Sequence, residues 1–254
     1  MLLAIDVGNT QTHLGVFDGG ELAGHWRFMT QPGATSDQLA VRVGSLLGLR
    51  EMRLDQVDGS IVSSVVPPLG PEYERMSRDY LNQRCLVVGP ALKTGMPIRV
   101  DNPHEVGADR LVNAVASYEL VGGAAVTVDF GTSTNFDVVS EEGEYLGGVI
   151  GPGLEISIEA LVSRTAKLPR MDLTEPSHAI GRNTAEALES GFIYGFAGLV
   201  DGINRRIAEE LGSDPEVIAT GGLATAVAPH CETIDRVDDL LTLTGLRLIH
   251  QRNQ

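Results

Sequence analysis

Apolar positions fall along the chain in two rhythms. Leu2-Leu3-Ala4-Ile5 is a continuous apolar run that predicts a buried strand, and after Asp6-Val7-Gly8-Asn9-Thr10 a second run, Leu14-Gly15-Val16-Phe17, ends at the hairpin signal Asp18-Gly19-Gly20. Between Ser36 and Leu49 the rhythm changes: Leu39, Val43, Leu46 and Leu47 recur at spacings of three and four, with Asp37 near the start, and predict a helix. Ile61 to Val66 predicts a strand stopped by Pro67-Pro68, Glu72 to Leu81 a second helix, and Cys85 to Val88 another strand.

The opening pattern then recurs. Ala124 to Val128 runs into Asp129-Phe130-Gly131-Thr132-Ser133-Thr134, then Phe136-Asp137-Val138-Val139, then a turn at Glu141-Glu142-Gly143. At a constant offset of 123 residues, Asp6 falls on Asp129, Gly8 on Gly131, Gly20 on Gly143, Glu21 on Glu144 and Gly24 on Gly147, the mark of an internal duplication. Leu154 to Ala166 and Thr184 to Leu211 predict helices, the second with Leu188, Phe192, Ile193, Phe196, Leu199 and Ile203 on one face. Val217 to Thr220 predicts a short strand that runs into Gly221-Gly222. Strands and helices alternating around a duplicated hairpin predict an α/β fold of two domains, 1–115 and 116–254, with the ligand in the cleft between them.

Composition narrows the partners. The 254 residues carry 19 basic against 34 acidic side chains, a net charge of −15 that opposes a phosphate backbone and an acidic membrane surface. Apolar stretches such as Gly123 to Val128 are far shorter than the ~20 residues a bilayer needs. The N-terminus has no basic n-region and no cleavage site, and Cys85 and Cys231 stand in neither a redox nor a zinc spacing; a cytoplasmic protein is expected.

The repeated turns carry the candidate chemistry. Gly8 permits a backbone conformation closed to other residues, and Asn9, Thr10 and Thr12 offer amides and hydroxyls to phosphate oxygens. Asp6, at the end of a buried strand, needs a cation or donors to compensate it; capping of its own turn is the plainer alternative. The second copy, with Asp129, Gly131 and Thr132, argues for a phosphate clamp in which both aspartates hold cations. Gly221 and Gly222 would let a flat ring such as adenine approach the backbone, although the same pair also suits a tight turn. No Gly-x-x-x-x-Gly-Lys-Ser/Thr sequence occurs, which excludes a P-loop. In Gly107-Ala108-Asp109-Arg110, just before an apolar helix, Asp109 can take a proton from a hydroxyl and Arg110 can fork onto a carboxylate or phosphate; a plain helix N-terminus is the other reading. The six histidines show no ligand spacing, so no zinc site is expected, and His13 reads either as a phosphate contact or as packing.

Asp6-Val7-Gly8-Asn9-Thr10, Gly107-Ala108-Asp109-Arg110, Asp129-Phe130-Gly131-Thr132 and Gly147-Gly148-Val149-Ile150-Gly151-Pro152-Gly153, in this order, closely resemble the type III pantothenate kinases. The resemblance runs from Leu2 to about Ala224. It implies an actin-like ATPase fold of two duplicated ribonuclease-H-like domains. It also implies ATP-dependent phosphorylation of pantothenate to 4'-phosphopantothenate, the first step of coenzyme A synthesis, with Mg2+ or another divalent metal and a monovalent cation, K+ or NH4+. Carried over residue by residue, it makes Asp6, Val7, Gly8, Asn9, Thr10, Gln11, Thr12 and His13 the phosphate-binding turn, and Asp109 the base. Gly107, Ala108, Asp109 and Arg110 line the substrate pocket, Asp129 holds the monovalent cation, Thr132 contacts ATP and Thr184 contacts substrate. The family pattern further implies a homodimer; Gly195 and Gly198, on an otherwise apolar helix, would let two backbones approach, with ordinary core packing as the equal alternative. Two positions depart from that pattern: Val100 stands where many members have a tyrosine, and Asn135 where a small hydroxyl residue is usual. A nucleotide-binding regulatory protein of the same fold would keep both turns without needing Asp109, and is the alternative from a different class.

Overall fold

The computed structural model describes residues 1–89, 92–165 and 174–254. They form two compact units, Met1–Met96 with Asp101–Ala116 and Leu241–Gln254 as unit 1, and Pro97–Val100 with Ser117–Leu240 as unit 2.

In unit 1, β1 (Leu2–Val7), β2 (Gln11–Asp18) and β3 (Glu21–Met29) make an antiparallel meander, and β4 (Gly59–Ser64) and β5 (Cys85–Val87) join parallel to β1 in the order β3-β2-β1-β4-β5. Helices α1 (Ser36–Gly48) and α2 (Leu69–Tyr80) supply the crossovers. Unit 2 repeats the plan with β6 (Ala125–Phe130), β7 (Ser133–Val139), β8 (Tyr145–Pro152), β9 (Glu216–Thr220) and β10 (Arg236–Val237), ordered β10-β9-β6-β7-β8. Read from β8, each strand is the counterpart of one in unit 1, so the duplication seen in the sequence is a duplication of topology. Asp6 and Asp129 are each the penultimate residue of the central strand.

Local chemistry sets the helix ends. Thr35 caps α1 through a reciprocal box, its hydroxyl accepting from the Gln38 N–H while the Gln38 side chain accepts from the Thr35 N–H at 3.0 Å. Helix α2 starts three residues before the expected Glu72, because Pro71 falls in the first turn, where its missing N–H breaks no helix bond. Helix α4 (Leu154–Ser163) stops short of the expected end, and Ala166 lies outside the described residues. Helix α5 (Thr184–Leu211) has the expected bounds, opened by the Asn183 cap and closed by Gly212 at φ 66°. Its buried stripe is Ile193, Phe196, Ala197, Val200, Asn204 and Ile207, with the expected Phe192, Leu199 and Ile203 along its margin. The short α6 (Ala224–Val227) follows Gly221-Gly222.

Helix α3 (Ala108–Val121) passes from unit 1 into unit 2 after Ala116. The division differs from a single cut after residue 115, because α7 (Leu241–Gln251) belongs to unit 1. There it lies on the sheet: a β-carbon at Gly15 would stand 2.8 Å from Leu243 Cδ1, and one at Gly245 would stand 2.2 Å from the Val112 carbonyl oxygen. Two glycines thus bring α7 against the sheet and α3, and Thr242 donates to the Asn113 side chain at 2.7 Å. On the opposite face Leu3, Ile5, Val7, Leu14 and Val16 meet Leu39, Val43, Leu47, Tyr73 and Met76. The core of unit 2 joins Val126, Val128, Phe130 and Phe136 to the α5 stripe. No helix among the described residues is long and apolar enough to cross a membrane.

Candidate active site

The first turn is closed by its glycine. The Gly8 N–H donates to the Gln11 carbonyl at 3.0 Å, and a β-carbon at Gly8 would lie 2.9 Å from that same oxygen. Thr30, beyond the end of β3, braces the turn by donating its hydroxyl to the Gly8 carbonyl at 2.8 Å and its N–H to the Thr10 carbonyl at 2.9 Å. Asn9, Thr10 and Gln11 are exposed, and Asp6 and Gly8 half-buried. Thr12 and His13 are already strand residues. Thr12 is 1% exposed, with its hydroxyl 3.0 Å from that of Thr30. His13, 8% exposed, sets its Nε2 3.2 Å from Nδ1 of His25. Burial first, then the Arg27 and His25 charges, push the His13 imidazole down to about 3, so it is neutral near pH 7.

In unit 2 the counterpart turn and the Gly-Gly segment form one piece. The Gly131 N–H donates to the Ser133 carbonyl at 3.0 Å, and Thr134 donates to the Pro152 carbonyl at 2.9 Å. Asn135, at the departure from the family pattern, accepts from the Ser133 hydroxyl at 2.9 Å. Gly221 has φ +96°, and a β-carbon there would stand 2.4 Å from Asp129 Oδ1 and 2.7 Å from the Phe130 nitrogen. The Asp129 carboxylate therefore occupies the space that a side chain at position 221 would need. At Gly222 a β-carbon would meet nothing within 4 Å, and Gly222 and Thr132 are exposed. A β-carbon at Gly153 would lie 2.0 Å from the Thr132 carbonyl oxygen, so the start of α4 is pinned on this turn.

The third element begins at Asn102, whose side-chain oxygen accepts from the His104 N–H at 3.3 Å and whose amide donates to Glu105 at 2.7 Å. Gly107 follows, and α3 opens with Ala108, Asp109 and Arg110, all half-buried. Asp109 Oδ1 accepts from the Arg110 N–H at 2.9 Å. Burial raises the Asp109 carboxyl above the ordinary carboxylate range against the opposing pull of the Arg110 N–H and charge, the environment of a proton acceptor. Thr184, exposed, is the first residue of α5, behind the Asn183 cap that accepts from the Glu186 N–H at 3.0 Å. Val100 stands near Gly147, whose β-carbon would be 3.5 Å from Val100 Cγ1.

Other chemistry is sparse. Burial pushes the Cys85 and Cys231 thiols up to about 11 and about 12, so neither is a thiolate nucleophile near neutral pH. Among the described residues no three His, Cys, Asp or Glu side chains group into a metal site. The Thr30 brace was not legible in the sequence, because it depends on where β3 ends against the turn.

Residues 2–206 match the type III pantothenate kinase family. The type III pantothenate kinase of Geobacter sulfurreducens is 52% identical over 254 residues, covering all of both chains. Among solved structures, a Campylobacter jejuni protein assigned to the Baf family of transcriptional activators aligns with a TM-score of 0.61 at 17% identity, covering 99% of this chain and 98% of its own. The ROK hexokinase of Thermus thermophilus aligns with a TM-score of 0.51 at 14% identity, covering 99% of this chain and 98% of its own. At those identities the structural likenesses show the fold alone, and the fold is that of the actin-like ATPases. The match over most of the chain and the identity over its full length place this protein in the type III pantothenate kinase family.

Proposed function

We propose that this chain transfers the γ-phosphoryl group of ATP to the primary hydroxyl of pantothenate, with Asp109 as general base. The single observation that carries the assignment of the base is the Asp109 carboxylate itself. It is half-buried at the start of α3, oriented by the Arg110 N–H and raised in proton affinity by burial. A carboxylate so placed accepts the hydroxyl proton as the oxygen attacks phosphorus and ADP departs. Arg110 recognises the pantothenate carboxylate, and Gly107 and Ala108 leave room for the substrate. Thr184 is assigned a substrate contact on the family pattern alone.

The nucleotide is assigned to the two turns. The Gly8–Gln11 backbone with the exposed Asn9 and Thr10 takes phosphate oxygens, and Thr132 adds a further ATP contact. Gly222, open to solvent beside the Asp129 turn, takes the adenine side. The Asp6 and Asp129 carboxylates are oxygen donors, which fits hard cations. Asp6 would hold the divalent ion and Asp129, lodged against Gly221, the monovalent one; bound there they would neutralise phosphate charge. All else is positioning by the chain.

A homodimer is part of this proposal. Unit 2 exposes Ile150 (65%), Ile156, Leu161 and Tyr194, and a β-carbon at Gly191, Gly195 or Gly198 on α5 would meet nothing within 4 Å. A second copy would cover these apolar positions. A cytoplasmic site of action accords with two unpaired cysteines.

The test is Asp109→Asn. Turnover is expected to fall by about three orders of magnitude or more while ATP binding, followed by calorimetry, is retained. Turnover within tenfold of the parent would remove Asp109 from the role. ATP binding without any turnover in the parent protein would favour the regulatory reading instead.

A further inference from the structure

Three serines on β4 have different fates. Ser60 donates to the Ser77 hydroxyl of α2 at 3.0 Å, and Ser64 donates to the Val66 carbonyl at 3.0 Å. Ser63, at 0% exposure, makes no hydrogen bond through its hydroxyl to any described residue. Buried hydroxyls are nearly always satisfied, and a partnerless one weakens the fold relative to an alanine of the same shape. Stability alone would favour alanine at position 63.

The register says what stands beside it. Strands β1 and β4 are parallel, with Asp6 directly paired to Ser63, and on the other side β2 pairs His13 to Asp6. In-register residues of neighbouring strands project from the same face at a strand spacing of about 4.8 Å. Ser63, Asp6 and His13 thus form one row across the sheet, on the side where Gly59 meets His250 of α7. Nε2 of His13 is engaged with His25, and Ser63 is the hydroxyl-bearing residue that β4 sets in register with Asp6.

We propose that the Ser63 hydroxyl accepts a hydrogen bond from a water ligand of the divalent cation held at Asp6, making Ser63 a further residue of the cation and phosphate site. Mg2+ surrenders its waters reluctantly and is bound through few direct protein ligands, so neighbouring hydroxyls act on its hydration shell. The inference rests on the assignment of Asp6 to the divalent ion. It explains why a residue unfavourable to the resting fold occupies the position next to that carboxylate.

The experiment is calorimetric titration of Ser63→Ala and Asp6→Asn with a non-hydrolysable ATP analogue, with Mg2+ and with EDTA, alongside thermal unfolding of the unliganded proteins. Ser63→Ala should weaken binding of the Mg2+ complex about five- to tenfold, leave metal-free nucleotide binding unchanged, and leave Tm equal to or above that of the parent. Mg2+-complex affinity within twofold of the parent, or an equal loss with and without metal, overturns the proposal. If Asp6→Asn weakens the Mg2+ complex while Ser63→Ala does not, Ser63 alone is excluded. If neither variant responds, the Asp6 assignment falls with it.

Discussion

A β-carbon on Gly107 would lie 2.6 Å from Oδ1 of Asp109, so the orientation of the Asp109 carboxylate depends on the absence of a side chain two residues earlier. That oxygen is the one that accepts from the Arg110 N–H. The glycine in Gly107-Ala108-Asp109-Arg110 therefore sets the orientation of the Asp109 carboxylate.

Gly107→Ala should turn the carboxylate away from its present position and lower kcat by about 10²-fold, as expected for an ångström-scale misplacement of a reacting group. ATP affinity should stay within twofold. Steady-state kinetics paired with nucleotide calorimetry checks both; an unchanged kcat would mean that the carboxylate's orientation in the free protein has no bearing on turnover.

Gly221→Ala adds two strains at once, a methyl 2.4 Å from Asp129 Oδ1 and a non-glycine residue at φ +96°. The variant should lose stability by about 1–3 kcal/mol and respond more weakly to K+ than the parent. Thermal unfolding and a K+ titration of turnover measure the two effects separately. A lowered Tm with an undisturbed K+ response would detach Asp129 from the monovalent cation.

The buried His13 makes the fold acid-sensitive. Its imidazole is lowered to about 3 in the folded chain, whereas an unfolded histidine titrates near 6.5. Below pH 6.5 the unfolded state takes up a proton that the folded state refuses, so stability falls as pH drops from about 6.5 toward 3. At pH 5 the contribution is about 2 kcal/mol, and above pH 7 it vanishes. His13→Gln should flatten this part of the denaturant-derived stability profile; an equally steep profile in the variant would place the acid sensitivity elsewhere.

Much of this arrangement is legible in the sequence because it is periodic or repeated. The 123-residue offset reads out the repeated sheet plan, and an apolar run ending in Asp-x-Gly reads out the short turn that follows the central strand of each sheet. Helix α5 is legible because its caps, Asn183 and Gly212, are local signals. The third strand of each sheet is harder: β3 alternates weakly, and β8 carries Gly147, Gly148 and Gly151 in place of β-branched residues. Helix α7 is hidden by Leu-Thr alternation at its start and by Gly245, and is held by a close approach to Val112 that sequence does not display. The two reasons for Gly221, a positive φ and contact with Asp129, are likewise tertiary. So is the place of Ser63, which only strand register sets beside Asp6.

The most direct test is ADP release by the purified full-length chain with Mg2+ and ATP, with and without pantothenate, in potassium and then in sodium buffer. The expected result is release that requires pantothenate, rises by at least about tenfold in potassium over sodium, and falls by about three orders of magnitude or more in Asp109→Asn. Release that ignores pantothenate, or that stays within about tenfold of the parent in Asp109→Asn, would contradict it.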